Sequence, residues 1–97
     1  MPTVRFGDFR WDSHKAEVNL AKHGVSFEEA ATVFDDPRAI DAPDLYDKQR
    51  FVIVGRSVRD RVLFVVHAVV EHERIRIISA RKASRAQREA YQDDAFR

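Results

Sequence analysis

The stretch from Arg50 to Ala80 constrains this chain most. It holds apolar runs at Phe51-Val52-Ile53-Val54, from Val62 to Glu71 and from Arg74 to Ala80. The breaks between them, Val58-Arg59-Asp60-Arg61 and Glu71-His72-Glu73, are short and polar. Runs rich in β-branched and aromatic residues form strands. Connections this short join antiparallel neighbours, because a parallel crossover takes a dozen residues or more. A meander follows, and its apolar face must be covered. Arg38 to Asp44 reads as an added edge strand, the position that tolerates Pro43.

The first part of the chain supplies the cover. Val4 to Trp11 reads as one short strand. Asp12 or Ser13 caps a helix that runs to about His23 and ends at Gly24, a residue suited to the left-handed cap. Ala16 and Leu20 give it a thin apolar face, while Lys15, Asn19, Lys22 and His23 share another. Ser26-Phe27-Glu28-Glu29 fits a capping box, in which Ser26 takes an amide and Glu29 reaches back. Phe27, Ala30, Ala31 and Phe34 recur with helical period as a core stripe, and Pro37 ends the helix. These two helices read as a hairpin around Gly24-Val25. Ser84 opens a last helix, with Gln87 as its capping partner and Ala86, Ala90 and Tyr91 as its apolar face. At 97 residues the layout is one α+β domain over 1–97.

Several chemistries are excluded early. With no cysteine there is no disulfide, thiolate metal site or Cys nucleophile. The four histidines lack zinc spacing, so neither metal nor cofactor is expected. No apolar run approaches membrane length and the first residues do not resemble a signal peptide, so a cytoplasmic protein without membrane contact is expected.

A net charge of +1 conceals a division. Residues 1–47 hold five Lys or Arg against ten Asp or Glu, and residues 48–97 hold twelve against six. From Arg74 to Arg88 there are six basic residues and no acid. Such asymmetry points to an anionic partner, although a solvated basic face is an equal reading of the charge alone. Arg85 and Arg88 oppose the dipole at the start of the last helix, and a phosphate there would relieve the opposition. His23 is the acid–base candidate by residue type, against the plainer reading that it caps its helix. His67 reads as a satisfied core or sheet-face histidine, Phe34 as core, and Trp11 as the anchor of the first strand.

Ribonuclease chemistry without a metal needs a group to orient or deprotonate the 2′-hydroxyl, a group to protonate the leaving oxygen, and cations on the phosphate. Arg, Lys, His and Tyr suffice, and this chain supplies them. The motifs also resemble a known family. Phe9-Arg10-Trp11-Asp12, Lys15, Asn19, the block from Lys22 to Ala30 and Asp36-Pro37 resemble the first half of the BrnT toxins. Arg50, Ile53-Val54-Gly55, the block from Arg76 to Ala83 and Tyr91 agree in order with the second half. The resemblance implies a RelE/ParE-like fold with an N-terminal helical hairpin, antiparallel meander and C-terminal helix. It implies a metal-independent ribonuclease of a type II toxin–antitoxin system that slows translation and growth. It further implies a BrnA-like antitoxin, a complex of two toxins with two antitoxins joined through the antitoxin dimer, and operator DNA bound only through the antitoxin.

Carried over by position, the resemblance assigns catalysis to His23, Lys22, Arg76, Arg81 and Tyr91, and RNA binding to Arg50. The basic block adds Lys82, Arg85 and Arg88 to RNA binding. One departure is Gln87, where many relatives have Glu: it completes a capping box but is neither base nor acid. Two readings of other classes stay open, a non-catalytic antitoxin-binding co-repressor and a ParE-like toxin acting on a protein.

Overall fold

The structure is a computed structural model that describes residues 2–95, the last two by their backbone alone. Strands β1 (Thr3–Phe6) and β2 (Phe9–Asp12) are followed by helices α1 (Ser13–His23) and α2 (Phe27–Thr32). Strands β3 (Ile40–Pro43), β4 (Phe51–Arg56), β5 (Val62–Val70) and β6 (Arg74–Lys82) come next, then α3 (Arg85–Ala95). The strands form one sheet in the order β1-β2-β6-β5-β4-β3.

The local signals act as their chemistry requires. The Asp12 carboxylate accepts the amides of His14 and Lys15 and starts α1. Gly24 closes that helix at φ 68°, its amide donating to Leu20. Ser26 Oγ accepts the Glu29 amide, and Phe27, Ala30 and Ala31 are buried under the sheet. Pro37 leaves Asp36 extended after a 3₁₀ turn over Val33–Asp35. At the last helix the capping box is complete: Ser84 Oγ accepts the Gln87 amide and the Ser84 amide donates to Gln87 Oε1.

Several expectations are corrected. The first segment is two strands, because Gly7 at φ 58° turns the chain back between Phe6 and Phe9. A β-hairpin therefore precedes the helices, and α1 and α2 both pack on β6. The sheet is antiparallel from β3 to β6, but β2 joins β6 in parallel. The Glu29 carboxylate does not reach back to its cap. It accepts from Ser57 Oγ at 2.7 Å and from Arg61 Nε at 2.9 Å and Nη2, because a buried carboxylate is stabilised more by a bidentate cation than by one amide. Leu20 faces solvent at 51% exposure while Asn19 is buried, and in α3 Ala86 and Ala90 are exposed and Tyr91 is buried.

Asn19 explains how α1 is seated. Strand β2 pairs only with Ile75 and Arg76, so the β6 edge beyond them has no strand on that side. The Asn19 amide serves as one: it accepts from the Ala80 amide at 3.1 Å and donates to the carbonyls of Ala80 at 2.8 Å and Val25 at 2.9 Å. Each backbone group satisfied here would otherwise be buried without a partner. Asn19→Ala is expected to lower stability by about 2–3 kcal/mol. The check is the urea midpoint of the variant, and an unchanged midpoint would mean that water replaces the amide.

Candidate nucleic-acid interface

The β5–β6 pair decides where the basic block points. In a regular strand Arg76 and Arg81, five residues apart, would lie on opposite faces. The register breaks instead: Val66 pairs with Ser79 and His67 with Ile77, which leaves Ile78 as a bulge. Arg76 then pairs with Ala68, Ser79 with Val66 and Arg81 with Phe64. Directly paired residues share a face. The bulge thus places Arg76, Ser79 and Arg81 together on the face away from α1 and α2, while Ile77 and Ala80 both stay in the core.

Arg81 is held in a fixed pose. Its Cζ lies 4.2 Å from the centre of the Phe64 ring, and its Nη1 donates to the Lys82 carbonyl and to Gln87 Oε1, both at 3.1 Å. The aromatic face and the amide orient the guanidinium without neutralising it. Nε and Nη2 keep no acceptor among the described residues and stay available as a fork for a phosphate. Gln87 therefore couples the start of α3 to this arginine, a role sequence reasoning did not give it. An open recess of about 300 Å³ adjoins it, walled by Phe64, Val52, Gln87 and the exposed Leu45-Tyr46 pair of the β3–β4 loop.

A second recess, an open cleft of about 420 Å³, lies between α1 and the β6 edge. Its helical wall is His14, Lys15, Val18, Asn19, Lys22 and His23, and its strand wall is Ile78 and Ser79. Two imidazoles and two ammonium groups line it, and among the described residues no carboxylate does. Ser79 belongs both to this cleft and, by register, to the row of Arg76 and Arg81, so the cleft borders the arginine face. Sequence reasoning missed His14 and Ser79. The helical spacing that grouped Lys15, Asn19, Lys22 and His23 could have added His14, but Ser79 needed the bulge.

The remaining candidates lie elsewhere. Tyr91 is 4% exposed and its hydroxyl donates to Asp36 Oδ2 at 2.6 Å, so it ties α3 to the end of the α2 segment. Burial, and then the Asp36 carboxylate, raises the tyrosine pKa above its ordinary value. Burial alone would raise the Asp36 pKa, but the Arg56 amide, Tyr91 and the Arg38 amide outweigh it and hold it low. Arg50 precedes β4 and pairs with Asp47 at 3.4 Å, two strands from β6. Arg85 pairs with Glu89 at 3.0 Å, and Arg88 Nη1 donates to the Ala83 carbonyl at 3.1 Å. Lys82 is exposed and pairs in register with Leu63, on the other face from Arg81. His67 is core, edge-on to Phe34 at 4.8 Å, with its pKa lowered by burial.

Among the described residues no three His, Asp or Glu side chains converge as metal ligands, and no helix is long and apolar enough to cross a membrane. What the sheet and α1 define is a small α+β domain whose recesses offer cations and imidazoles to an anion. The family model described as ribonuclease toxin, BrnT, of type II toxin–antitoxin systems matches residues 11–87. The chain belongs to that family, and membership implies an antitoxin partner. The 1.1 Å crystal structure of the Brucella abortus ribonuclease toxin BrnT is similar, with a TM-score of 0.64 and 27% identity over 77% of this chain and 94% of that one. Comparison with curated protein sequences finds no match.

Proposed function

We propose that this chain is a metal-independent endoribonuclease of RelE/ParE-like type that acts in the cytoplasm, cutting RNA to slow translation and growth. The observation that carries this reading is the cleft lined by Lys15, Lys22, His14 and His23, whose wall residue Ser79 stands on the same strand face as Arg76 and Arg81. A phosphodiester seated at Ser79 would meet the Arg81 fork on the sheet side and Lys22 and His23 on the helix side. The arginines stabilise charge that develops on the phosphate during attack by the 2′-hydroxyl. His23, assisted by Lys22, moves the proton to or from the reacting oxygens. His14 stands nine residues from His23, about 13 Å along the helix, and so serves a neighbouring part of the RNA rather than the same phosphate. Arg50, Lys82, Arg85 and Arg88 add non-specific attraction, and Tyr91 acts at a distance by fixing α3. A BrnA-like antitoxin neutralises the enzyme by covering this surface, in an assembly of two toxins and two antitoxins built on the antitoxin dimer, which alone contacts operator DNA.

The test is cleavage of RNA by the purified protein in EDTA. Wild type is expected to cut, and His23→Ala to cut about 100-fold more slowly. RNA left intact by the wild-type protein at high concentration would overturn the enzyme reading and favour an antitoxin-binding module. Full activity in His23→Ala would remove the imidazole from the chemistry and leave the arginines as the site.

A further inference from the structure

We propose that the N-terminal β-hairpin carries a second phosphate subsite, in which Arg5 and Arg10 join Arg76 to hold an RNA strand beside the cleft. The inference rests on the ribonuclease reading above. In the β1–β2 register Arg5 stands opposite Arg10, and in the β2–β6 register Arg10 stands beside Arg76. Val4 and Trp11, the next residues along, pack into the core, so the three arginines share the open face. Neighbouring strands lie about 5 Å apart, which makes this a row of three arginine positions across three strands. Like charges placed directly opposite destabilise a sheet.

Among the described residues no carboxylate lies within ion-pair distance of Arg5, Arg10 or Arg76. Arg10 Nη1 donates to the Gly7 carbonyl at 2.6 Å and the Phe9 carbonyl at 2.7 Å, which fixes the guanidinium and leaves its charge. Asp12, the acid on the same strand face, is engaged with the α1 amides. The row leads along β6 to Ser79 and Arg81, so one strand of phosphates can run from the hairpin into the cleft. The family match spans residues 11–87 and covers neither Arg5 nor Arg10.

The experiment is binding of a single-stranded 2′-O-methyl oligonucleotide of roughly a dozen nucleotides, followed by fluorescence anisotropy over a salt series. The probe lacks the free 2′-hydroxyl, so binding is read apart from cleavage. The Arg5→Gln/Arg10→Gln double variant is expected to bind about tenfold more weakly near 0.1 M salt. Its slope of log K against log salt should fall by about 1.4, or 0.7 for each phosphate that is no longer neutralised. Arg5→Lys/Arg10→Lys should restore most of the slope. An unchanged affinity and slope would overturn the subsite, as would a loss confined to antitoxin binding. Wild-type protein that cuts RNA while the double variant binds normally would sink this inference alone. Wild-type protein that binds the probe but leaves RNA intact would sink the ribonuclease reading, and the salt slopes would still decide the subsite.

Discussion

Glu29→Ala is expected to lower the unfolding free energy by about 3 kcal/mol, a large share of what a domain this size has. The side chain is 5% exposed, and its two oxygens take Ser57 Oγ and both faces of the Arg61 fork. Removing it leaves the Ser57 hydroxyl without its acceptor and the Arg61 charge with the Gly24 carbonyl alone at 3.2 Å. Arg61 keeps 24% side-chain exposure, so water recovers part of the loss and the value sits at the low end for a broken buried pair. Burial by itself would raise the Glu29 pKa, but the Arg61 and Ser57 hydrogen bonds outweigh it and hold it below its ordinary 4.5. A carboxylate with a depressed native pKa stabilises the fold above its unfolded pKa, and that contribution is lost as pH falls through the native value. Wild type should therefore lose stability below about pH 4.5, and Glu29→Gln should lose less over the same range. Equal acid slopes for the two proteins in urea titrations would show that Glu29 does not carry the linkage.

Arg81→Ala is expected to cut RNA about 100- to 1,000-fold more slowly than wild type, the cost of removing one preorganised donor from a developing charge. Arg81→Lys should recover little of this, because an ammonium neither stacks flat on Phe64 nor presents a fork. Gln87→Ala separates position from charge. It keeps Arg81 and removes the Oε1 acceptor at 3.1 Å, so a smaller loss, of about tenfold, is expected. Single-turnover rates on one RNA substrate, with thermal melts as the control for folding, measure all three. Wild-type cleavage by Arg81→Ala would place the reacting phosphate away from the arginine face.

Much of this arrangement was legible in the residues. The meander followed from apolar runs and short polar breaks, and each helix start from a side chain able to accept a free amide. Gly24 marked the end of α1, and the spacing of Lys15, Asn19, Lys22 and His23 grouped one wall of the cleft. Less legible were residues whose role depends on a distant partner. Glu29 had the spacing of a local cap, but Ser57 and Arg61, 28 and 32 residues away, hold it instead. Asn19 had the composition of a surface residue, and its buried role exists only because β2 stops short along β6. Tyr91 was grouped with the reactive residues by resemblance, whereas its hydroxyl is tied to Asp36.

The sequence by itself determined the elements and the charge division, because capping, periodicity and turn chemistry act over a few residues. Register is a property of pairs of strands, and only the tertiary structure decided it. The one-residue bulge at Ile78 moved Arg76 onto the face of Arg81, and the parallel pairing of β2 with β6 set Arg10 beside Arg76. A side chain changes face with every residue along a strand, so a single unpaired residue decides whether the arginines form one surface or two.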